Sequence, residues 1–245
     1  MNKSIFINEN ILELETLCYN IDDNTSDDLS NIMSKHLSDK GFGLCDDFIN
    51  NNKYAPNNVC HNYTYFYNIL FNKYRNEHIN IFEMGVGVPS CMRSWAGSLL
   101  GWKEYFPNSK IFSADIDKEY LYNDDRIKSY YVDQEDNVSI INLWKNMSDY
   151  MFDIIIDDGP HTYTSNYNFF VNSIHKLKIG GIFIIEDVHT KFIDMLYYNI
   201  TQHCKEINIK YNIIKLIIPW PNKFRHRSSE YIMQMNNLII IQLIP

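Results

Sequence analysis

The chain has 245 residues, 45% of them hydrophobic, and a formal net charge of −8. That length fits one large α/β domain or one domain with a small extension, and the acidic balance argues against a general nucleic-acid binder, because phosphate backbones favour basic surfaces. Five scattered cysteines without a CxxC pair argue against a disulfide framework or structural zinc and favour a reducing cytoplasm. The apolar runs are too short to span a bilayer, and no apolar signal segment is recognised.

The predicted elements divide the chain at about residue 58. Residues 1–58 contain short apolar-periodic pieces between Asp- and Asn-rich stretches, which predict a small helical extension with polar loops, including a mobile loop over 50–58. Residues 59–245 form the predicted main domain. It opens with a helix over 62–74, where apolar and aromatic side chains recur at helical spacing.

Strands and helices then alternate to the end of the chain. Further helices are predicted from about Pro89 and over 140–150, 163–176 and 190–203, and Gly180 and Gly181 are predicted to form a turn. The alternation predicts a mostly parallel sheet with helices on both faces. No helix is evident between the last two strands, which leaves room for one antiparallel strand. Seven strands are predicted, over 79–84, 110–114, 127–132, 154–156, 182–185, 211–218 and 238–243.

Two of these strands end abruptly in acids. The segment 154–161 reads Ile-Ile-Ile-Asp-Asp-Gly-Pro-His, and the segment 182–187 reads Ile-Phe-Ile-Ile-Glu-Asp. Because ligands bind at the carboxyl ends of strands in open α/β sheets, Asp158, Glu186 and Asp187 are expected in one crevice. Three hard oxygen ligands suit Mg²⁺, Ca²⁺ or Mn²⁺. Helix caps and hydrated turns are the alternative use of such acids.

His161 follows the first of these acid pairs by three residues. A histidine beside a divalent ion is a natural general base, because its ionisation lies near neutral pH. The sequence therefore predicts a metal site with a base next to it.

A glycine turn, Glu83-Met84-Gly85-Val86-Gly87, leaves the first strand of the alternating region. Such glycines let the backbone approach a ligand closely, and Ser90 in place of a third glycine disfavours a nicotinamide cofactor. Asp115 ends the next strand, where it is placed to bind ribose hydroxyls, and Asp133-Gln134 ends the third, where it is placed to meet an adenine amino group. Each acid alone is equally a turn residue, but their arrival in strand order indicates a bound nucleoside.

The order Glu-x-Gly-x-Gly, strand-end Asp, Asp-Gln, Asp-Asp-Gly-x-His and Glu-Asp resembles class I S-adenosylmethionine-dependent methyltransferases. Within them, the chain is similar to metal-dependent O-methyltransferases of macrolide deoxysugars and to relatives from bacterial capsular-polysaccharide clusters. The resemblance covers about residues 38–243. It includes Ser38-Asp39-Lys40 and the segment 61–67, which look like the family's Asp-Lys…His-x-Tyr-x-x-x-Tyr motif. Pro160 departs from the pattern, since relatives usually have Ser there.

The resemblance implies a Rossmann-like methyltransferase sheet and a role for each matching residue. Asp158, Glu186 and Asp187 fall on the metal ligands, and His161 falls on the base. The implied cofactors are S-adenosylmethionine and Mg²⁺ or Mn²⁺. The implied methyl-donor positions are Glu83, Gly85, Asp115, Asp133 and Gln134, to which Gly87 is added as the second glycine of the turn.

The acceptor is predicted from the loop after the sixth strand. Lys223, Arg225 and Arg227 suit a phosphate or diphosphate, although a solvated basic loop is the simpler interpretation. Trp220 or Phe224 is predicted to stack on the acceptor, and Tyr63 is a further candidate substrate residue. The predicted acceptor is a small molecule: a sugar hydroxyl of a nucleotide-linked or phosphorylated capsule precursor. Neither nucleic acid nor membrane is expected as a partner, and a homo-oligomer is left open.

Two other functions remain as alternatives. His161, Asp158 and His189 could form the two-histidine, one-carboxylate triad of a non-haem iron oxygenase, which would leave the methyl-donor positions unexplained. A non-catalytic nucleoside-binding protein of the same fold is the second alternative. Such a protein is expected to have lost part of the metal-and-base set, and in this sequence the set is intact.

Overall fold

A computed structural model describes residues 28–40, 61–87, 95–219 and 234–245. Several predictions fall outside these residues: the short helices before residue 28, the loop over 50–58, the helix start at Pro89, and the basic loop. That loop contains Trp220, Lys223, Arg225 and Arg227. The predicted domain boundary at residue 58 also falls outside them and stays a prediction.

Seven strands in the described residues form one sheet in the order β3-β2-β1-β4-β5-β7-β6. The first five strands run parallel, and β7 lies antiparallel between β5 and β6. This confirms the predicted seven-stranded, mostly parallel sheet with one antiparallel strand. The strands are β1 Asn80–Met84, β2 Lys110–Asp115, β3 Ile127–Tyr131, β4 Phe152–Asp157, β5 Leu177–Ile185, β6 Tyr211–Ile217 and β7 Asn237–Leu243.

Helices cover both faces of the sheet, as predicted for a Rossmann-like fold. Successive strand residues point to opposite faces, so Ile81 packs in the cluster under α1–α3 and Phe82 in the cluster under α4–α6. None of the described helices is long and apolar enough to cross a membrane. The helices are α1 Asp28–Lys35, α2 Tyr63–Phe71, α3 Gly97–Tyr105, α4 Asn137–Asn146, α5 Tyr163–Ser173 and α6 Thr190–Glu206.

Two local predictions were wrong. Gly180 and Gly181 do not form a turn before β5 but lie within it, where Gly180 has a positive φ of 83° and the pairing of β5 with β4 shifts register. Glycine accommodates such an irregularity inside a strand. Helix α4 begins at Asn137, before the predicted start, because the Asp136 side chain accepts the Val138 amide and caps it.

Helix α1 belongs to the same hydrophobic core as the sheet. Leu29, Ile32 and Met33 are buried in the cluster that contains Ile81. A side chain on Gly101 of α3 would place its Cβ 2.4 Å from Met33 Sδ, so the two helices pack closely at this glycine. Residues 36–40, which follow α1, consequently reach the carboxyl edge of the parallel strands.

Candidate active site

A cavity of about 540 Å³ opens at the carboxyl edge of the parallel strands. This is the edge at which open α/β sheets bind ligands. Glu83 and Tyr63 are absent from the described residues that line it. Nine of the predicted site residues do line it: Gly85, Gly87, Asp115, Asp133, Gln134, Asp158, His161, Glu186 and Asp187.

The glycine turn after β1 is held against both neighbouring strand ends. Gly85 has a φ of 93°, and its amide donates to the Ala114 carbonyl at 2.8 Å. The Val86 amide donates to Asp115 Oδ2 at 2.8 Å. The Asp158 amide donates to the Met84 carbonyl at 2.9 Å. Asp115 therefore fixes the turn, and the predicted ribose contact of its carboxylate stays a prediction.

We expect Gly85→Ala to destabilise the protein much more than Gly87→Ala. Both glycines have positive φ values, 93° and 85°, so each substitution costs about 1–2 kcal/mol of backbone strain. A Cβ on Gly85 would also lie 2.1 Å from the Asp158 carbonyl oxygen, whereas a Cβ on Gly87 meets no atom within 4 Å. The clash adds roughly 1–3 kcal/mol. Urea unfolding of both variants measures the difference, and equal losses would contradict this packing.

The side-chain nitrogen of Gln134 is hydrogen-bonded within the protein, which limits how this residue could contact an adenine. Its Nε2 donates to Asp157 Oδ1 at 2.6 Å and to the Ser165 carbonyl at 3.2 Å. Its Oε1 is buried without a hydrogen-bond partner and packs against Gly159, where a Cβ would approach it to 1.8 Å. An oxygen without a hydrogen-bond donor could accept from an adenine amino group. The predicted adenine contact is therefore assigned to Oε1, and it stays a prediction.

Asp157 is a buried carboxylate that the sequence analysis did not assign. It accepts from Gln134 Nε2 and, at 3.0 Å, from Asn166 Nδ2. Burial raises its pKa to about 6, although both hydrogen bonds oppose the shift. The Asn166 Oδ1 atom, like Gln134 Oε1, has no partner. Burial therefore disfavours the negative charge of Asp157, and the side-chain oxygens of Gln134 and Asn166 accept no hydrogen bond.

We expect Asp157→Asn to stabilise the protein above pH 6. The folded-state pKa lies above the ordinary aspartate pKa of 3.8, so the contribution of Asp157 to stability is greatest below pH ~4 and is lost as the pH rises through 6. The loss is at most about 3 kcal/mol. Turning over the Asn166 amide would give the new Nδ2 an acceptor. Chemical unfolding at pH 4 and pH 7 should show the gain at pH 7 only.

Asp157→Leu is the control for that prediction. Leucine also removes the charge, but it removes the acceptor of Asn166 Nδ2 and one of the two acceptors of Gln134 Nε2, at a cost of about 1–3 kcal/mol for each lost hydrogen bond. We expect it to destabilise the protein at both pH values. A gain in the leucine variant would mean that the charge alone matters.

Asp158, His161 and Asp187 bring three ligand atoms together within 4.8 Å of one another. His161 Nε2 lies 3.9 Å from Asp158 Oδ1 and 3.6 Å from Asp187 Oδ2. All three side chains are partly exposed to the cavity. The two carboxylates are oxygen ligands of the kind that Mg²⁺ and Mn²⁺ prefer, so these acids fit a divalent cation. His161 and Asp187 both have left-handed backbones, with φ values of 57° and 53°.

Glu186, the third predicted metal ligand, has both carboxylate oxygens engaged. Tyr67 Oη donates to Oε1, and Lys40 Nζ donates to Oε2 at 2.5 Å. Burial raises the pKa of Glu186 well above its usual value, and the Lys40 charge only partly offsets it. Its role as a ligand stays a prediction, and direct coordination requires it to give up one of these contacts.

Asp187 is enclosed by residues of the His-x-Tyr motif. Tyr63 Oη donates to Asp187 Oδ1, and His61 Nδ1 lies 3.4 Å from the same oxygen. The His61 and Tyr63 rings stack at 4.6 Å. Burial raises the pKa of Asp187, but His61, His161 and the Tyr63 hydroxyl outweigh it and hold that pKa below its usual value. The contact of Tyr63 is thus with Asp187, and its predicted contact with substrate stays a prediction.

Glu83 lies behind the glycine turn. Its Oε1 accepts from Ser98 Oγ at 2.8 Å and its Oε2 from Trp102 Nε1, both on helix α3. Lys40 Nζ is 3.4 Å from Oε1. Burial raises the pKa of Glu83, and Lys40 opposes the rise. These contacts join α3 to the acids around Lys40. The methyl-donor role of Glu83 stays a prediction.

His189, part of the oxygenase alternative, serves helix α6. Its Nδ1 accepts the Lys191 amide at 3.0 Å and caps the helix. Among the described residues, the only cluster of three ligand atoms contains Asp158, His161 and Asp187 without His189. The structure therefore does not favour the iron oxygenase.

The fold is that of the class I methyltransferases. A solved structure described as the MycE methyltransferase from the mycinamycin biosynthetic pathway, in complex with Mg and SAH, superposes with a TM-score of 0.60 at 20% identity, over 90% of this chain and 55% of that one. A second structure of that protein, with mycinamycin VI as well, gives a TM-score of 0.57. No protein-family model matches the chain.

Sequence comparison confirms the resemblance to sugar O-methyltransferases. The chain is 30% identical over 132 residues to 8-demethyl-8-alpha-L-rhamnosyl tetracenomycin-C 2'-O-methyltransferase of Streptomyces olivaceus. It is 31% identical over 132 residues to mycinamicin VI 2''-O-methyltransferase of Micromonospora griseorubida. Each match covers 54% of this chain but only 34% and 33% of those enzymes. The chain thus matches about a third of the length of these curated relatives.

Proposed function

We propose that the protein is an S-adenosylmethionine-dependent, divalent-metal-dependent O-methyltransferase acting on a sugar hydroxyl. One observation carries the proposal: the glycine turn, Asp115 and Asp133 line the same cavity as the cluster of Asp158, His161 and Asp187. A methyl donor and an acceptor must meet in one cavity, and here the nucleoside side and the metal side adjoin. By their names, both aligned enzymes are O-methyltransferases, and the first acts on a rhamnosyl compound.

The residues have separate tasks in this reaction. Gly85 and Gly87 keep the donor side open to close approach, and Asp115 and Asp133 are the acceptors for its polar groups. Asp158 and Asp187 would hold a divalent cation, which lowers the pKa of a hydroxyl bound to it. Alignment of donor and acceptor in one cavity is worth several kcal/mol of barrier.

His161 is the proposed proton acceptor. The transfer breaks the bond between the sulfonium sulfur and the methyl carbon, forms the bond between the acceptor oxygen and that carbon, and releases the hydroxyl proton. His161 Nε2 lies 3.9 Å from Asp158 Oδ1 and 3.6 Å from Asp187 Oδ2, beside the two acids that would hold the cation. It takes up the proton that the hydroxyl loses.

Calorimetric titration with S-adenosylmethionine tests the donor half. We expect saturable binding, weakened in Asp115→Ala, and no binding of NAD. Binding of NAD but of neither S-adenosylmethionine nor SAH would refute the proposal.

Incubation with S-adenosylmethionine, Mg²⁺ and candidate sugars tests the acceptor half by product mass. We include neutral glycosides, nucleotide-sugars and phosphorylated sugars. Lys223, Arg225 and Arg227 support an anionic acceptor such as a capsule precursor, with Trp220 stacking on it. The comparison of neutral with anionic sugars tests this choice of acceptor. A mass gain of one methylene group with only the neutral glycosides would exclude the anionic class.

A further inference from the structure

The acids of the site surround a buried lysine. Lys40 is 1% exposed, and its Nζ lies 2.6 Å from Asp158 Oδ2, 2.5 Å from Glu186 Oε2 and 3.4 Å from Glu83 Oε1. Burial lowers the pKa of Lys40, but these three carboxylates outweigh it and hold that pKa well above its usual value. Three carboxylates within 3.4 Å of the ammonium make the side chain a positive charge held in place by ion pairs.

The charges around Lys40 are unequal in number. Three carboxylates lie within 3.4 Å of this one ammonium, so the acids outnumber the cation. Isolated buried charges are costly, and a buried ion pair holds only while both partners are present. Without Lys40, Asp158, Glu83 and Glu186 would repel one another in a region largely screened from water.

The two oxygens of Asp158 face different partners. Oδ2 accepts from Lys40, while Oδ1 faces His161 across 3.9 Å. The ammonium thus occupies one side of the carboxylate and leaves the other side for the cavity. A divalent ion bound at the cavity side would lie close to the ammonium and be repelled by it.

We propose that Lys40 is the permanent counter-cation of the acid cluster, a positioning residue that holds Asp158 and Glu186 in place without a metal and limits how tightly a divalent ion binds beside them. The inference rests on the proposed function, because it assumes that the cavity side of Asp158 and Asp187 is a divalent-cation site. A weakly bound metal ion exchanges readily with solvent. Because Lys40 already holds the acids in place, the site does not need the metal ion in order to form.

Lys40→Met tests the proposal without any activity measurement. Methionine keeps much of the length and removes the charge. In chelator, we expect the melting temperature to fall by about 10 °C, as for a broken buried ion pair in a domain of this size. In Mn²⁺ titrations followed by electron paramagnetic resonance, we expect at least ~10-fold tighter binding than in the wild type, because the repulsion is gone and two carboxylate oxygens are freed.

Two further variants separate this role from general damage. Lys40→Met/Glu186→Gln restores the net charge of the wild type, so it should recover at least half of the lost melting temperature. Lys176→Met removes another buried lysine, whose Nζ donates to the Met147 and Ser148 carbonyls. It should lower the melting temperature but leave Mn²⁺ binding unchanged.

Lys40→Met that binds Mn²⁺ no more tightly than the wild type would overturn the proposal. So would a double variant that is no more stable than the single one. If Lys40→Met does not fold, the double variant decides alone: a folded protein supports the proposal, and an unfolded one overturns it. Failure of the wild type to bind Mn²⁺ would instead refute the metal in the proposed function, and the melting temperatures would still test Lys40.

Discussion

Replacement of His161 by alanine is expected to lower the turnover number by ~10²–10⁴-fold, the usual contribution of a general base. The reason is geometric: His161 Nε2 is the described side-chain nitrogen that faces both Asp158 Oδ1 and Asp187 Oδ2 on the cavity side. Affinity for S-adenosylmethionine should change little, because the donor side of the cavity is left intact. Single-turnover rates, metal content and melting temperature measured on one preparation give the result.

His161→Gly is the matched control for the alanine variant. Both remove the imidazole, but glycine adopts the left-handed backbone of residue 161, φ 57°, at no steric cost. We expect equal losses of turnover and a higher melting temperature for glycine. Loss of bound metal in both variants would make His161 a metal ligand instead, and turnover at the wild-type rate would remove it from the mechanism.

The second large effect is expected from the two cavity-side acids. Chelator should abolish the activity of the wild type, and added Mg²⁺ or Mn²⁺ should restore it. The Asp158→Asn/Asp187→Asn variant should stay inactive when the same ions are added. Residues that only hydrogen-bond to metal ligands already contribute ~10–100-fold to metal affinity. Loss of two ligands should therefore weaken Mn²⁺ binding by more than about 100-fold. The titration used for Lys40 measures it.

Asp153→Asn is the control for this pair. Asp153 is buried, and it binds Lys178 at 2.7 Å and the Asn80 amide at 2.9 Å, away from the cavity. It should leave Mn²⁺ binding unchanged. Full activity of the Asp158→Asn/Asp187→Asn protein after removal of metal would show that these acids are structural.

The strands that build the site could be predicted because their sequences are short runs of β-branched and aromatic residues that end at polar ones. The run before Asp158 is buried along all of β4, as expected for a parallel strand covered on both faces. Gly180 and Gly181 were misassigned because two glycines resemble a turn in sequence. Only the pairing of β5 with β4 shows that the strand continues through them.

The partners of the predicted acids could not be read from the sequence. Lys40 is 118 positions from Asp158 and 146 from Glu186, and no local pattern links such distant residues. The Asp-Lys and His-x-Tyr-x-x-x-Tyr motifs were visible, but their tasks were not. The structure shows Lys40, Tyr63 and Tyr67 in contact with the acids themselves.

The position of β7 has a consequence for the order in which the protein folds as it is synthesised. β7 is the last strand of the sheet to be made, yet it lies between β5 and β6 and hydrogen-bonds to both. Until residue 243 has left the ribosome, β5 has an open edge and β6 has no neighbour in the sheet. Open edges of this kind favour association between chains. Nascent chains stalled before residue 237 should therefore bind chaperones more strongly than those released beyond residue 243.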